Sequence, residues 1–196
     1  MLSPGKWHLQ VPKERTENLK YRRWLLTLCK QKRYRPAVLE MCRSDILFWI
    51  NSFVMQVNPK KVGGEVGPFV TWEFQESAIL ETMERLFADQ DDMLWEKSRE
   101  MGATWMAMIL SVWLCLFHRN KRVLCVSHSE QAVDRAGDDG TLFAKVRFIL
   151  KFLPSWMSQG VVKRKMGFQF PGQSSISGAA STGRSGVGDR VSMVLL

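Results

Sequence analysis

The sequence is poor in the residues that hold metals and disulfides. Its four cysteines, Cys29, Cys42, Cys115 and Cys125, lie far apart, with no CxxC pair and no histidine beside them. That spacing argues against a zinc site and a disulfide framework, and fits buried, reduced thiols. The three histidines, His8, His118 and His128, are isolated from one another, and none is assigned a chemical role. Apolar runs are short as well. The opening stretch MLSPGKWHLQVPKER has no apolar segment of the kind a signal peptide needs. The longest uncharged run, residues 101–117, is at the short edge for a membrane span, which takes about 20 residues. A buried helix of an α/β core reads the same way. There is no internal repeat.

Acidic residues are also scarce. The chain holds 19 Asp and Glu against 28 Lys and Arg, a net charge of +9. Most of the excess falls in residues 1–36, where ten lysines and arginines face only Glu14 and Glu17, a balance of +8. A basic arm of this kind suits an anionic partner, nucleic acid or an acidic protein surface. A solvated helix face has the same composition. With 196 residues, 45% hydrophobic and 24% charged, the rest has the makeup of one α/β domain with a core of its own and a small helical preface.

Along the chain, the apolar spacing predicts a helix over 18–31 and one or two helices over 37–57. NPKKVGGEVGP reads as a loop. FQESAILETMERLFAD reads as an amphipathic helix. From residue 91 the pattern changes. MLWEK is a short strand candidate, GATWMAMILSVWLCLFHRN a long buried helix, and RVLCVS a clear strand. SEQAVDRA is a helix with Ser129 as N-cap, and TLFAKVRFILKFLPSW a helix stopped by Pro154. VVKRKMGFQF and SSISGAAS read as paired or edge strands, GRSGVGDR as a glycine-rich loop, and RVSMVLL as a strand. This order predicts a doubly wound α/β sheet. It divides the chain into a basic arm and helix (1–36), a helical lid-like subdomain (37–90) and a partial α/β core (91–196). Because the chain ends in a strand, it is expected to be part of a longer protein.

One short stretch carries chemistry: KSREMGATW, residues 97–105. A phosphate loop reads G-x-x-x-x-G-K-[ST], set between a strand and a helix. Gly102 and Thr104 occupy the second glycine and the hydroxyl. The lysine position holds Ala103, and the first-glycine position holds Lys97. A lysine at the front of such a loop can fold back over the same phosphates, while backbone N–H groups at the start of the next helix face them. A buried helix start with two incidental cations fits the pattern too.

KSREMGATW resembles the deviant Walker A loop of tailed-phage terminase large subunits, the ATPases that pump DNA into capsids. That family carries loops of the form [KS]-x-R-x-x-G-x-[ST]. DILFWINSFVMQVNPK and PFVTWEFQ resemble the segment ahead of the family's ATPase core. RVLCVSHSEQAVDRAGDDGTLFAKVRFILKFLPSWM resembles the strand and helices after the loop, and SSISGAASTGRSGVGDRVSMVLL the run into the Walker B strand. The likeness covers the chain from Cys42 onward. It implies a P-loop NTPase of the RecA type, cut before the end of the Walker B strand. It also implies ATP and Mg²⁺ as ligands. Gln75 would read adenine, with Phe69, Trp72 and Phe74 as a stacking face. Lys97, Ser98, Arg99, Glu100, Met101, Gly102, Ala103 and Thr104 would form the nucleotide loop. Lys97 would hold phosphate, Thr104 would bind Mg²⁺, and Arg99 would stabilise charge on the γ-phosphoryl group. Arg184, or alternatively Arg190, would reach into a neighbouring subunit.

The function implied is that of an N-terminal part of a DNA-packaging motor. It would work as a homo-oligomeric ring in the host cytoplasm, away from membranes. Its partners would be double-stranded DNA, a small terminase subunit and a portal protein. Two departures matter. Ala103 stands where the lysine is usual, and the Walker B carboxylates would follow Leu196. The fragment alone is therefore expected to bind nucleotide weakly and not to turn it over. Two other readings are a noncatalytic nucleic-acid or capsid adaptor that kept the fold, and a helicase-like repair ATPase.

Overall fold

The computed structural model describes residues 5–58, 65–89, 92–96, 98, 100–181 and 190–196. The N-terminal half is helical. Helix α1 (Arg15–Leu28) begins at Glu14, whose carboxylate accepts the backbone N–H groups of Thr16 and Glu17. Those donors hold the Glu14 carboxyl below its ordinary pKa. Helix α2 (Arg35–Ser44) has Pro36 in its first turn, where a missing N–H costs nothing. Helix α3 (Ile46–Phe53) is buried along its whole length. Its N-cap, Asp45, accepts the N–H of Phe48, and its other oxygen takes the backbone N–H of His8 at 2.8 Å. The same oxygen lies 2.8 Å from His8 Nδ1. Asp45 thus ties the 3₁₀ turn Trp7–Gln10 to the start of α3.

A short antiparallel pair follows, β1 (Met55–Asn58) with β2 (Glu65–Pro68), in which Gln56 faces Gly67. Helix α4 (Glu73–Glu84) runs into a π-helical turn at Arg85–Asp89. Helix α5 (Ala103–Phe117) is the central apolar helix. After it come β3 (Arg122–Ser127), α6 (Glu130–Val133) and α7 (Leu142–Phe152). Ser129 and Thr141 cap α6 and α7 by accepting the N–H groups of Ala132 and Ala144. Strands β4 (Val162–Arg164), β5 (Gly167–Gln169), β6 (Ser175–Ala180) and β7 (Met193–Leu195) complete a five-stranded sheet of order β4-β5-β6-β3-β7.

The sheet is mixed. β3 runs parallel to β6 on one side and to β7 on the other, whereas β4, β5 and β6 pair antiparallel. The α/β class holds, with an antiparallel hairpin on one side of the parallel strands. Of the two readings of SSISGAAS, paired or edge, the paired one holds, since β6 lies inside the sheet between β5 and β3. Its small residues have a packing reason. A Cβ on Gly178 would sit 2.3 Å from Val133 Cγ1, so α6 rests almost directly on the strand. The expected strand at MLWEK is absent, because residues 92–96 have no regular structure. The helix expected over 37–57 breaks at Asp45 and ends at Phe53, and part of the expected 58–68 loop is β2. The predicted helix over 129–136 is a single turn, Glu130–Val133.

One contiguous core holds side chains from all three expected segments, among them Leu25, Trp49 and Ile109. All four cysteines are free and buried. Burial pushes the Cys115 and Cys125 thiols up to about 12, so they pack as small apolar groups. Residues 101–117, the one run long enough to raise a membrane reading, are core helix. Among the described residues no helix is long and apolar enough to cross a membrane.

Two buried polar groups stand out. Arg22 is 5% exposed and, among the described residues, has no carboxylate beside it. It donates from Nε to Asn18 Oδ1 (2.7 Å), from Nη1 to the Val54 carbonyl (2.9 Å), and from Nη2 to the carbonyls of Ile50 (3.2 Å) and Phe69 (3.3 Å). His118 follows α5, with its ring 4.7 Å from Trp113 and 5.0 Å from Phe87. Its Nε2 is buried and has no hydrogen-bond partner among the described residues. Burial, then the charges of Lys121 and Arg43, push its pKa down to about 4.

Arg22→Met should destabilise the fold by about 3 kcal/mol, since it orphans several buried acceptors at once. Arg22→Lys should recover less than half of that, because one ammonium cannot span the same fork. Urea midpoints at constant m-value measure both, and an unshifted Arg22→Met would show that the network is not structural. His118 yields a pH prediction. Its pKa is lower in the folded than in the unfolded chain, so between the ordinary 6.5 and about 4 the unfolded chain binds more protons. Stability is lost as pH falls through that window. His118→Phe should therefore lose less stability than wild type between pH 7 and pH 5, and equal losses would contradict this.

Candidate functional site

The stretch before α4 is anchored at three points. Thr71 gives its N–H to Asn51 Oδ1 at 2.9 Å, which fixes the segment to α3. The Asn51 amide also donates to Thr71 Oγ1. On the outer side Lys13 Nζ donates to Thr71 Oγ1 at 2.8 Å and pairs with the Glu76 carboxylate, which brings the N-terminal segment against the start of α4. Trp72, the N-cap of α4, is extended and 57% exposed. Its ring lies 5.5 Å from that of Phe74, which is 47% exposed.

Gln75, in the first turn of α4, is only 5% exposed. Its Oε1 accepts the Trp72 N–H at 3.1 Å, and its Nε2 donates to the Met101 carbonyl at 3.1 Å. One amide therefore joins the start of α4 to the loop ahead of α5. That loop is bent by two residues in the left-handed region, Glu100 at φ 67° and Gly102 at φ 76°. Gly102 fits because it lacks a Cβ, which would lie 3.1 Å from Gln75 Nε2. No side chain caps α5 at Gly102. Gly102 therefore offers the first N–H groups of this helix no acceptor of its own, and no acidic residue lies in the first turn.

These elements enclose a cleft of about 280 Å³. Its wall includes Trp72, Gln75, Glu100 and Gly102, the 67–70 segment, Gln56 and Glu65 from the β1–β2 pair, and Lys13 and Arg15 from the N-terminal segment. The size is near the lower end for a small-molecule site. Charges in the wall are mixed. Lys13 is paired with Glu76, and Arg15 with Glu65.

Of the residues nominated from sequence, Phe69, Trp72, Gln75, Glu100 and Gly102 line this cleft. Met101 borders it through its carbonyl bond to Gln75. Ala103 and Thr104 form the first turn of α5, and Thr104 is exposed there. Ser98 is exposed. Phe69 is 2% exposed and belongs to the core, so of the three expected stacking aromatics only Trp72 and Phe74 are open to solvent. Arg190 is exposed ahead of β7 and is not part of the cleft wall. Lys97, Arg99 and Arg184 lie outside the described residues.

Among the described residues no three His, Cys, Asp or Glu side chains converge as a metal site. Sequence reasoning missed Lys13, Arg15 and Gln56. They come from segments far from the loop, and no local pattern marks them. Compared with known protein families and with curated proteins, the chain matches none.

Gly102→Ala should destabilise the protein by about 1–2 kcal/mol, the cost of a left-handed non-glycine residue, with the new methyl also pressing on the Gln75 amide. A urea titration measures it. No shift would mean that the loop relaxes freely and does not depend on this turn.

Proposed function

We propose that the chain is the N-terminal ATPase region of a viral DNA-packaging motor, which hydrolyses ATP to move double-stranded DNA into a capsid. The observation that supports this best is the junction ahead of α5. The Trp72–Gln75 segment and the Glu100–Gly102 turn, far apart in sequence, meet at one cleft beside an uncapped helix N-terminus. A helix start of this kind is a natural phosphate site, and an exposed tryptophan beside it suits a base. In this reading Lys97 supplies the cation that the loop lacks at Ala103, and Thr104 contacts the Mg²⁺ that accompanies ATP. Arg99 offsets charge growing on the γ-phosphoryl group. Arg184 or Arg190 acts across the subunit boundary of a homo-oligomeric ring. Double-stranded DNA, a small terminase subunit and a portal protein are the partners.

One observation favours the second reading, a noncatalytic nucleic-acid or capsid adaptor. A strand normally leads into a phosphate loop, and residues 92–96 do not form one.

Titration with a fluorescent ATP analogue in Mg²⁺ separates the two. The ATPase reading expects wild type to bind, and Lys97→Ala and Thr104→Ala each to weaken binding at least tenfold, about 1.4 kcal/mol. Equal affinity of wild type and Lys97→Ala would remove Lys97 from the site. The adaptor reading expects no nucleotide binding, and DNA binding indifferent to Mg-ATP.

A further inference from the structure

Two glutamines line the cleft, and they are in opposite states. A primary amide offers the donor and the acceptor that adenine's N7 and N6 require. For Gln75 both ends are already used. Its oxygen takes the Trp72 N–H and its nitrogen gives to the Met101 carbonyl. These partners fix the orientation of the amide, because the reverse would set donor against donor and acceptor against acceptor. The side chain is also 5% exposed. Turning it to a base would orphan a backbone N–H and a carbonyl, and would release the loop that Gly102 closes.

Gln56 is the contrary case. It is half-buried on β1, and its amide makes no hydrogen bond among the described residues. Its partner across the pair is Gly67, so no side chain stands opposite it. The space over Gly67 is bounded instead by the Arg15 guanidinium, 3.3 Å from where a Cβ would lie. Pro68, Val70 and the exposed Trp72 give the same cleft apolar surface. A free amide beside an apolar wall, with a guanidinium and no side chain of its cross-strand partner over it, is an arrangement that suits a planar base.

We infer, resting on the nucleotide reading of the cleft, that Gln56 reads the adenine base and that Gln75 is a positioning residue. Gln75 holds the turn ahead of α5 against the start of α4. The phosphates then lie toward Gly102, and the base toward the β1–β2 pair. Arg15, held by Glu65, closes the base end.

The test measures Mg²⁺-dependent binding of ATP, GTP and inorganic tripolyphosphate by wild type, Gln56→Ala, Gln56→Glu and Gln75→Ala. Wild type should prefer ATP to GTP by tenfold or more. Gln56→Ala should lower ATP affinity to the level of GTP and leave tripolyphosphate unchanged. Gln56→Glu accepts but does not donate, and should shift preference toward GTP, whose base edge presents two neighbouring donors. Gln75→Ala should weaken all three ligands by a similar factor and keep the ATP/GTP ratio. Because Gln56 is at the surface, its variants keep the test decisive even if Gln75→Ala folds poorly. An unchanged ATP/GTP ratio in Gln56→Ala overturns the assignment while leaving the nucleotide reading intact. So does loss of that ratio in Gln75→Ala with tripolyphosphate unaffected. Equal binding of ATP and GTP by wild type overturns it as well. If wild type binds none of the three ligands, the nucleotide reading itself falls and takes the assignment with it.

Discussion

A buried guanidinium with no carboxylate partner among the described residues holds the N-terminal half together. Burial pushes the Arg22 pKa down to about 9, still above neutral, so the group stays charged at pH 7. Its compensation is dipolar. The carbonyls of Ile50 and Val54 are at the end of α3, where the helix dipole is negative. The third carbonyl belongs to Phe69, in the segment that leaves β2. A single side chain on α1 therefore sets α1 against α3, and both against residues 69–71. Asn18, one turn earlier, receives the Arg22 Nε–H and passes its own amide hydrogens to the carbonyls of Pro12 and Asn51. None of these elements can slide without leaving a buried carbonyl unpaired.

The candidate site hangs from that frame by a continuous path. Phe69 fixes the approach to Thr71, and Asn51 holds Thr71 by its N–H. Trp72 follows as N-cap, and Gln75 returns to the Trp72 N–H while reaching the loop at Met101. From there Gly102 opens α5. The distance from Arg22 to the helix terminus is thus covered by hydrogen bonds and short stretches of backbone, with no exposed ion pair as a link. This matters because exposed pairs contribute little, whereas a buried polar path resists distortion. It also divides the basic arm. Arg22 is internal, and Lys13, Arg15 and Lys20 are engaged by Glu76, Glu65 and Glu17. The excess charge of residues 1–36 is therefore no uniform field for an anionic partner. Its exposed remainder includes Arg23, Lys30 and Lys32.

What could be read from the sequence was what depends on local pattern. The apolar period of α5, the β-branched run of β3 and the Ser129 cap all appear where the residues say they should. Pattern fell short where tertiary contact decides. SSISGAAS reads equally as a paired or an edge strand, and only the packing shows it to be internal, where α6 and Phe143 crowd Gly178 from above. Residues 92–96 have the composition of a strand, and no neighbour pairs with them among the described residues. For the site, Gln75 and Gly102 were visible as separate features. Their contact, and the arrival of Lys13, Arg15 and Gln56 in the same cleft, depend on the Arg22 and Asn51 networks, which leave no periodic trace.

Charge balance constrains which ligand the cleft accepts. Its described wall carries Lys13 and Arg15 against Glu65 and Glu100, and both cations already have carboxylate partners. Under the proposed reading, inorganic polyphosphate has only the N–H groups at the start of α5 to hold it. A nucleotide differs because it brings a neutral, planar end. Apolar surface at Val70 and Trp72, with an amide, can take that end, while its anionic end need only reach the N–H groups at the start of α5. In the proposed nucleotide reading the β1–β2 pair takes the base end of the ligand, and the start of α5 its phosphate end.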